Sequence, residues 1–174
     1  MTQKQTVIIR PVSESDANDL FNIQQSDISE GDYFIVVPKD MEGVTAENHL
    51  KQIQSVLASE NDLILVAESE NKVIGSIRFR AQIYERLAHT GTISMSIAKE
   101  HRSKGIGKLL LSALLDWAEK HPSIEKVSLG VFSTNSQAIA LYQKMGFQEE
   151  GRKIREIKLS ETEYIADIIM CKFV

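Results

Sequence analysis

Apolar and polar positions change period repeatedly along the chain, and each change predicts an element. Crowded or alternating apolar runs predict strands at residues 6–10, 63–68, 72–80, 91–97 and 124–131, with two more starting at Phe147 and covering 164–173. Pro11 closes the first of these, since it cannot donate to a ladder. Helical spacing predicts helices at 13–25, 45–59 and 136–145, and another after Gly107. In that one, Leu109, Leu110, Ala113, Leu114 and Trp117 form a stripe expected to bury against a sheet; in the second, Ile53, Val56 and Leu57 face inward. Ser13, Thr45 and Asn135 stand as capping residues, and Gly146 is placed to end its helix in a left-handed conformation. The polar Ser69, Glu70 and Asn71 mark a hairpin turn, and a polar segment at 159–163 marks a terminal one. Strands alternating with helices, with hairpins at both ends, predict a mixed α/β sheet with helices on its faces, in a single domain over residues 1–174.

One junction carries chemistry. The apolar strand 91–97 runs into Arg102, Ser103, Lys104, Gly105, Ile106 and Gly107, and then into a helix. Both glycines allow tight or positive-φ backbone that a ligand can approach closely. The first amides of the helix lack intrahelical partners and have the positive end of its dipole behind them, which suits a phosphate. Arg102, Lys104 and Lys108 add cations at the same place. Neither the Walker loop nor the dinucleotide fingerprint is present.

Composition narrows the partners. A net charge of -4 argues against a general nucleic-acid binder. No apolar run approaches the ~20 residues that span a bilayer, and the amino terminus lacks a signal peptide's apolar core, so a cytoplasmic enzyme without membrane partners is expected. A lone cysteine, Cys171, excludes an intramolecular disulfide and a cysteine-based metal cluster, and reads as a small buried hydrophobe. The 4 histidines lack ligand spacing, so no metal is implied. Glu14, Asp16, Asp27, Glu30 and Asp32 make an acidic stretch that the charge pattern alone reads as a solvated helix and loop.

Arg102-x-x-Gly105-x-Gly107 after an apolar strand resembles the acetyl-CoA pyrophosphate loop of the GNAT superfamily of N-acetyltransferases. Asn135-x-x-Ala138-Ile139-x-x-Tyr142-x-x-x-Gly146-Phe147 resembles the helix and strand that follow in that superfamily, and Ile9-Arg10-Pro11 resembles its amino terminus. The resemblance covers almost the whole chain. It implies the GNAT fold, a mostly antiparallel central sheet with splayed central strands and helices on both faces, and acetyl-CoA as cosubstrate.

For site residues it implies main-chain contacts from Ile97 and Lys99 to the pantetheine arm, phosphate contacts from Arg102, Ser103, Lys104, Gly105, Ile106, Gly107 and Lys108, and a cofactor contact from Asn135. Tyr142 takes the place of a general acid toward the thiolate, and a phenol with a pKa near about 10 can donate there. Where similar enzymes carry a carboxylate on the central strand, this chain aligns Thr92, which cannot act as a base. Glu85 and His89, just before that strand, are the local candidates, with Glu68 more remote; a water relay or an amine that arrives neutral would need none.

The expected activity is direct transfer of acetyl from acetyl-CoA to a primary amine of a small molecule, such as an amino acid, its analogue or a polyamine. The resemblance implies that the acidic stretch from Glu14 to Asp32 packs beside the acceptor site, where it would draw a cationic amine. A protein amino terminus or lysine is an open alternative, as are a non-catalytic acyl-CoA sensor, motivated by Thr92, and a nucleotide-binding protein using the same basic turn. The resemblance also allows a homodimer, with Tyr164, Ile168 and Met170 as its apolar face.

Overall fold

The structure, a computed structural model, describes residues 6–174; the start of the amino-terminal stretch read for a leader lies outside them. Seven strands form one sheet in the order β1-β2-β3-β4-β5-β7-β6. The chain visits β1 (Ile8–Pro11), α1 (Ala17–Glu30), α2 (Ala46–Leu57), β2 (Leu63–Ser69), β3 (Lys72–Ala81), β4 (Thr90–Ile97), α3 (Ile106–Lys120), β5 (Lys126–Phe132), α4 (Ser136–Lys144), β6 (Gln148–Lys158) and β7 (Tyr164–Phe173). All neighbours are antiparallel except β4 and β5.

Period-2 alternation splits the core between the two sheet faces. Leu65, Ala67, Ile77, Phe79 and Ile93 pack with α3 and α4, whereas Ile64, Val66 and Val73 pack with Leu20, Ile23, Ile53 and Val56 of α1 and α2. Local chemistry explains the ends. Glu70 (φ 52°) and Asn71 (φ 62°) both take positive φ between β2 and β3, as a two-residue hairpin turn requires. Asn135 Oδ1 accepts from the Ala138 amide at 3.2 Å and so caps α4, and Gly146 (φ 89°) ends it. Gly91 is needed because a Cβ there would lie 2.1 Å from Phe79 Cζ.

Four expectations are corrected. The first helix continues to Glu30 because Ile28 prolongs its buried stripe and only Gly31 (φ 74°) breaks it, so Asp27 and Glu30 are helical. On α2, Ile53 and Val56 are buried but Leu57, read as facing inward with them, is 54% exposed. On α3 the inward stripe is Ile106, Leu110, Leu111, Leu114, Leu115 and Ala118, with Leu109 exposed and Trp117 half-buried edge-on to Phe79. Ile168 and Met170 lie inside the core, which removes them from any apolar outer face of the terminal hairpin. Cys171 is half-buried beside Lys126 and Glu150, and burial together with the Glu150 charge pushes its thiol up. Among the described residues no helix is long and apolar enough to cross a membrane.

Candidate active site

β4 and β5 pair in parallel only at Thr90↔Lys126, Gly91↔Val127 and Thr92↔Ser128. Past Ser128, β5 stays bonded to β7 as far as Phe132↔Asp167, so the two parallel strands part and leave an opening beside residues 93–97. The ladder to β3 decides which groups face it. Gln82 N donates to Thr90 O (3.0 Å) and Ala98 N to Ile74 O (2.9 Å), so the even-numbered residues of β4 bond toward β3. Antiparallel alternation then turns the N–H and C=O groups of Met95 and Ile97 to the open side. The Ile97 carbonyl accepts from Arg102 Nε at 2.9 Å, which leaves the Met95 and Ile97 amides facing the opening.

The basic turn follows the end of β4, after a 3-10 turn at Lys99–His101. Ser103 (φ 59°) and Gly105 (φ 83°) curl the backbone, and α3 begins with Gly105 as its N-cap. A glycine brings no capping side chain, and the helical ladder opens with Leu109 N donating to Gly105 O at 3.2 Å, so the amides of Ile106, Gly107 and Lys108 precede it. Nothing lies within 4 Å of a Cβ built on Gly105, whereas one on Gly107 would sit 3.2 Å from Leu141 and 3.3 Å from Ile97 and Met95. The first glycine leaves the turn open; the second lets α3 start directly against β4 and α4. Lys104 and Lys108 are exposed beside these amides. Gln137 Nε2 donates to Ser103 Oγ at 2.9 Å and ties α4 to the turn.

Arg102 is placed differently from the other cations. Its Nη2 donates to Asp27 Oδ1 at 2.7 Å and its Nη1 to Glu30 Oε2 at 2.8 Å, while Nε holds the Ile97 carbonyl. The guanidinium thus clamps the turn and the end of β4 to α1. Burial pushes the Asp27 carboxyl up, against the opposing pull of Ser96 and Arg102. Elsewhere in the acidic stretch Asp16 pairs with Arg10 at 2.8 Å, Asp19 accepts from the Val73 amide at 3.1 Å and Glu14 accepts from Gln54 at 3.2 Å, while Asp32 is exposed.

On the α1/α2 side of β4 lies a cleft of about 160 Å³. The even-numbered residues of β4 and β3 face it, and Gln24, His49 and Gln52 come down from the helices. Burial holds the His49 imidazole below its usual range, so it is neutral at pH 7, and its ring meets Phe21 edge-on at 5.6 Å. Tyr142 of α4 is 8% exposed and packs on Phe147 at 5.8 Å, and burial pushes its phenol up to about 12. Thr92 is exposed. Glu85 and His89 are exposed at the closed end of the β4–β5 pair, where the His89 carbonyl accepts from Glu125 and Lys126. From Thr90 to Met95 is roughly 17 Å of strand at the usual rise. Glu68, at the far edge, receives the Arg10 guanidinium at 2.7 Å.

Residues 20–147 match the acetyltransferase (GNAT) family. The chain belongs to it. An acetyltransferase of the GNAT family from Streptococcus pneumoniae has a structure similar to this one at a TM-score of 0.91 and 27% identity, covering 97% of this chain and 100% of that one. The structure of yncA from Salmonella typhimurium, solved with its cofactor acetyl-CoA, matches at a TM-score of 0.85 and 20% identity over 96% of this chain and 93% of that one, a likeness of fold. In sequence, the L-amino acid N-acetyltransferase AaaT of Escherichia coli is 24% identical over 62% of this chain and 66% of its own length. The spermidine N(1)-acetyltransferase of Vibrio cholerae is 28% identical over 53% and 52% respectively.

GNAT proteins are acetyl-CoA-dependent N-acetyltransferases, and this chain is an enzyme of that class. The open turn at Gly105, the unpaired amides behind it and the exposed Lys104 and Lys108 fit the phosphates of such a cosubstrate. Reading the sequence missed the cleft. Its signal was Arg78 and Arg80 at alternate positions of a strand, on a face that period-2 reasoning assigns to solvent until α1 and α2 are laid over it.

Proposed function

We infer that this GNAT enzyme moves the acetyl group of acetyl-CoA directly onto a primary amine of a small molecule. The observation that carries this reading is that the opening beside β4 and the cleft under α1 and α2 meet at Met95, so donor and acceptor can approach one point from opposite sides. Acetyl-CoA supplies the activated acetyl thioester.

The chain's own residues divide the remaining work. The amides of Ile106, Gly107 and Lys108, with Ser103, Gly105 and the side chains of Lys104 and Lys108, hold the pyrophosphate. Arg102 serves that turn by fastening it to Asp27 and Glu30. Met95 and Ile97 present amides that orient and polarise the thioester carbonyl, the pre-organised kind of stabilisation that costs no rearrangement during reaction, and Lys99 continues that main-chain edge. Asn135, which caps α4, adds a contact to the cofactor. Tyr142, kept protonated by burial, gives its proton to the leaving thiolate. With Thr92 in place of a strand carboxylate, and Glu85 and His89 at the closed end, the amine's proton leaves through water in the cleft or through the neutral His49 imidazole.

Thr92 also favours a second reading, an acyl-CoA sensor without turnover. Release of free CoA from acetyl-CoA, followed against amino acids, polyamines, aminoglycosides and short peptides with no-acceptor and no-enzyme controls, separates the two. Acceptor-dependent release supports the transferase and excludes the sensor; tight acetyl-CoA binding with no release across the series supports the sensor.

A further inference from the structure

The acidic stretch of α1 suggests a cationic acceptor only while its carboxylates are imagined free. Glu14, Asp16, Asp19, Asp27 and Glu30 are engaged by Gln54, Arg10, the Val73 amide and Arg102, Asp32 is exposed, and none of them lines the cleft. No Asp or Glu lines it at all; its charged side chain is Arg78.

Arg78 sits on β3 directly across from Ser94, one residue from Met95. It is half-buried, and its Nε is buried with no hydrogen-bond partner. The only side-chain hydrogen bond it makes among the described residues is a long one, Nη1 donating to Gln52 Oε1 at 3.4 Å. Arg80 follows on the same face, two residues along. Asp62, whose charge acts on Arg78 from outside the cleft, is occupied in accepting from the Ala81 amide at 2.8 Å. Asp27, against Ser96, is 1% exposed, does not line the cleft and holds Arg102 through Oδ1, its Oδ2 being buried without a hydrogen-bond partner. Burial and the Arg80 charge both pull the Arg78 guanidinium below its ordinary value, as expected of a cation lacking a full counter-charge.

A guanidinium with an unused, desolvated donor is built to receive a planar anion through parallel hydrogen bonds. We propose that Arg78 binds a carboxylate of the acceptor, so that the substrate is an amino acid or a close analogue carrying amine and carboxylate together, and a polyamine is excluded. Gln24, Gln52, Ser94 and Ser96 supply neutral donors and acceptors around the anion, and the adjoining amine is carried toward Met95. A polycation entering the same cleft would meet Arg78, with the Arg80 charge two residues along the strand and no carboxylate in the lining to offset it, a like-charge encounter that negative selection of substrates uses. The inference rests on the acetyltransferase reading above.

The test pairs each amino acid with its decarboxylated amine, adds spermidine, and measures both turnover and acceptor binding to the enzyme–CoA complex by calorimetry, for wild type, Arg78→Met and Arg78→Lys. Loss of a charged hydrogen-bonded pair is expected to raise KM for the carboxylate-bearing acceptor ~10- to 100-fold in Arg78→Met, with partial recovery in Arg78→Lys. KM for acetyl-CoA and the melting temperature should stay near wild type. Decarboxylated amines or spermidine handled as well as amino acids, or a KM ratio between paired acceptors that Arg78→Met leaves unchanged, overturns the proposal while the transferase reading stands. Failure to bind acetyl-CoA at all would overturn both.

Discussion

Arg102 is the residue on which a sequence motif and the geometry assign different work, and its removal separates them. As a phosphate ligand it would affect acetyl-CoA affinity and little else. As a clamp it holds Asp27, whose side chain is 1% exposed, and Glu30, 18% exposed. Truncation to alanine strands the Asp27 carboxylate in the interior; breaking a buried pair from one side typically costs 3–5 kcal/mol, about 3 kcal/mol here because Arg102 itself is 37% exposed and solvent screens part of the attraction. For a chain of this length that lowers the melting temperature by about 6–12 °C. The pH dependence adds a signature. Burial already raises Asp27 in the native protein, and without Arg102 it rises further, so the deficit is largest when Asp27 must ionise and shrinks as falling pH protonates it. Melting curves at pH 8 and pH 5 should therefore show a larger loss at pH 8, and adding Asp27→Asn should recover part of the stability. An Arg102→Ala enzyme with unchanged melting and a raised KM for acetyl-CoA would refute the clamp.

Gly105→Ala forces a Cβ into left-handed backbone (φ 83°), a strain of about 1–2 kcal/mol, and should weaken acetyl-CoA binding on the order of tenfold by calorimetry; unchanged affinity would mean the turn is not the phosphate site. Tyr142→Phe should lower kcat by ~100-fold with little change in KM, and because the wild-type phenol titrates near about 12, the wild-type pH–rate profile should show no loss from this group below pH ~10. Gly91→Ala drives a methyl to 2.1 Å from the buried Phe79 ring and should destabilise the fold by about 3 kcal/mol or more in urea unfolding; a change under ~1 kcal/mol would show that the ring can yield. His49 is neutral in the native state because burial depresses its pKa, so stability falls as pH drops below about 6.5, where the unfolded imidazole gains a proton that the native one resists. His49→Gln should flatten the stability curve between pH 7 and 5, and an identical slope would contradict that assignment.

The elements and the glycine turn at the strand–helix junction were legible because they rest on local chemistry: strand periodicity, caps at Thr45 and Asn135, and Gly146. What was not legible depends on distant partners. Asp27 and Glu30 read as a solvated loop since nothing in the sequence says that Arg102 will meet them. Ile168 and Met170 could not be told from an exposed apolar face until β7 was inserted between β5 and β6. The cleft needs α1 and α2 folded over the polar face of β3 and β4, a long-range event, so Arg78 and Arg80 at alternate strand positions read as a solvent face and His49 carried no sign of its surroundings.

The most direct test of the central claim is equilibrium titration of the protein with acetyl-CoA, CoA and ATP in competition. The account predicts that acetyl-CoA and CoA displace one another at the turn of α3 and that ATP, which lacks a pantetheine arm to lie along Met95 and Ile97, competes far more weakly. Competition by ATP as strong as that by CoA would contradict it and make the turn a general nucleotide site.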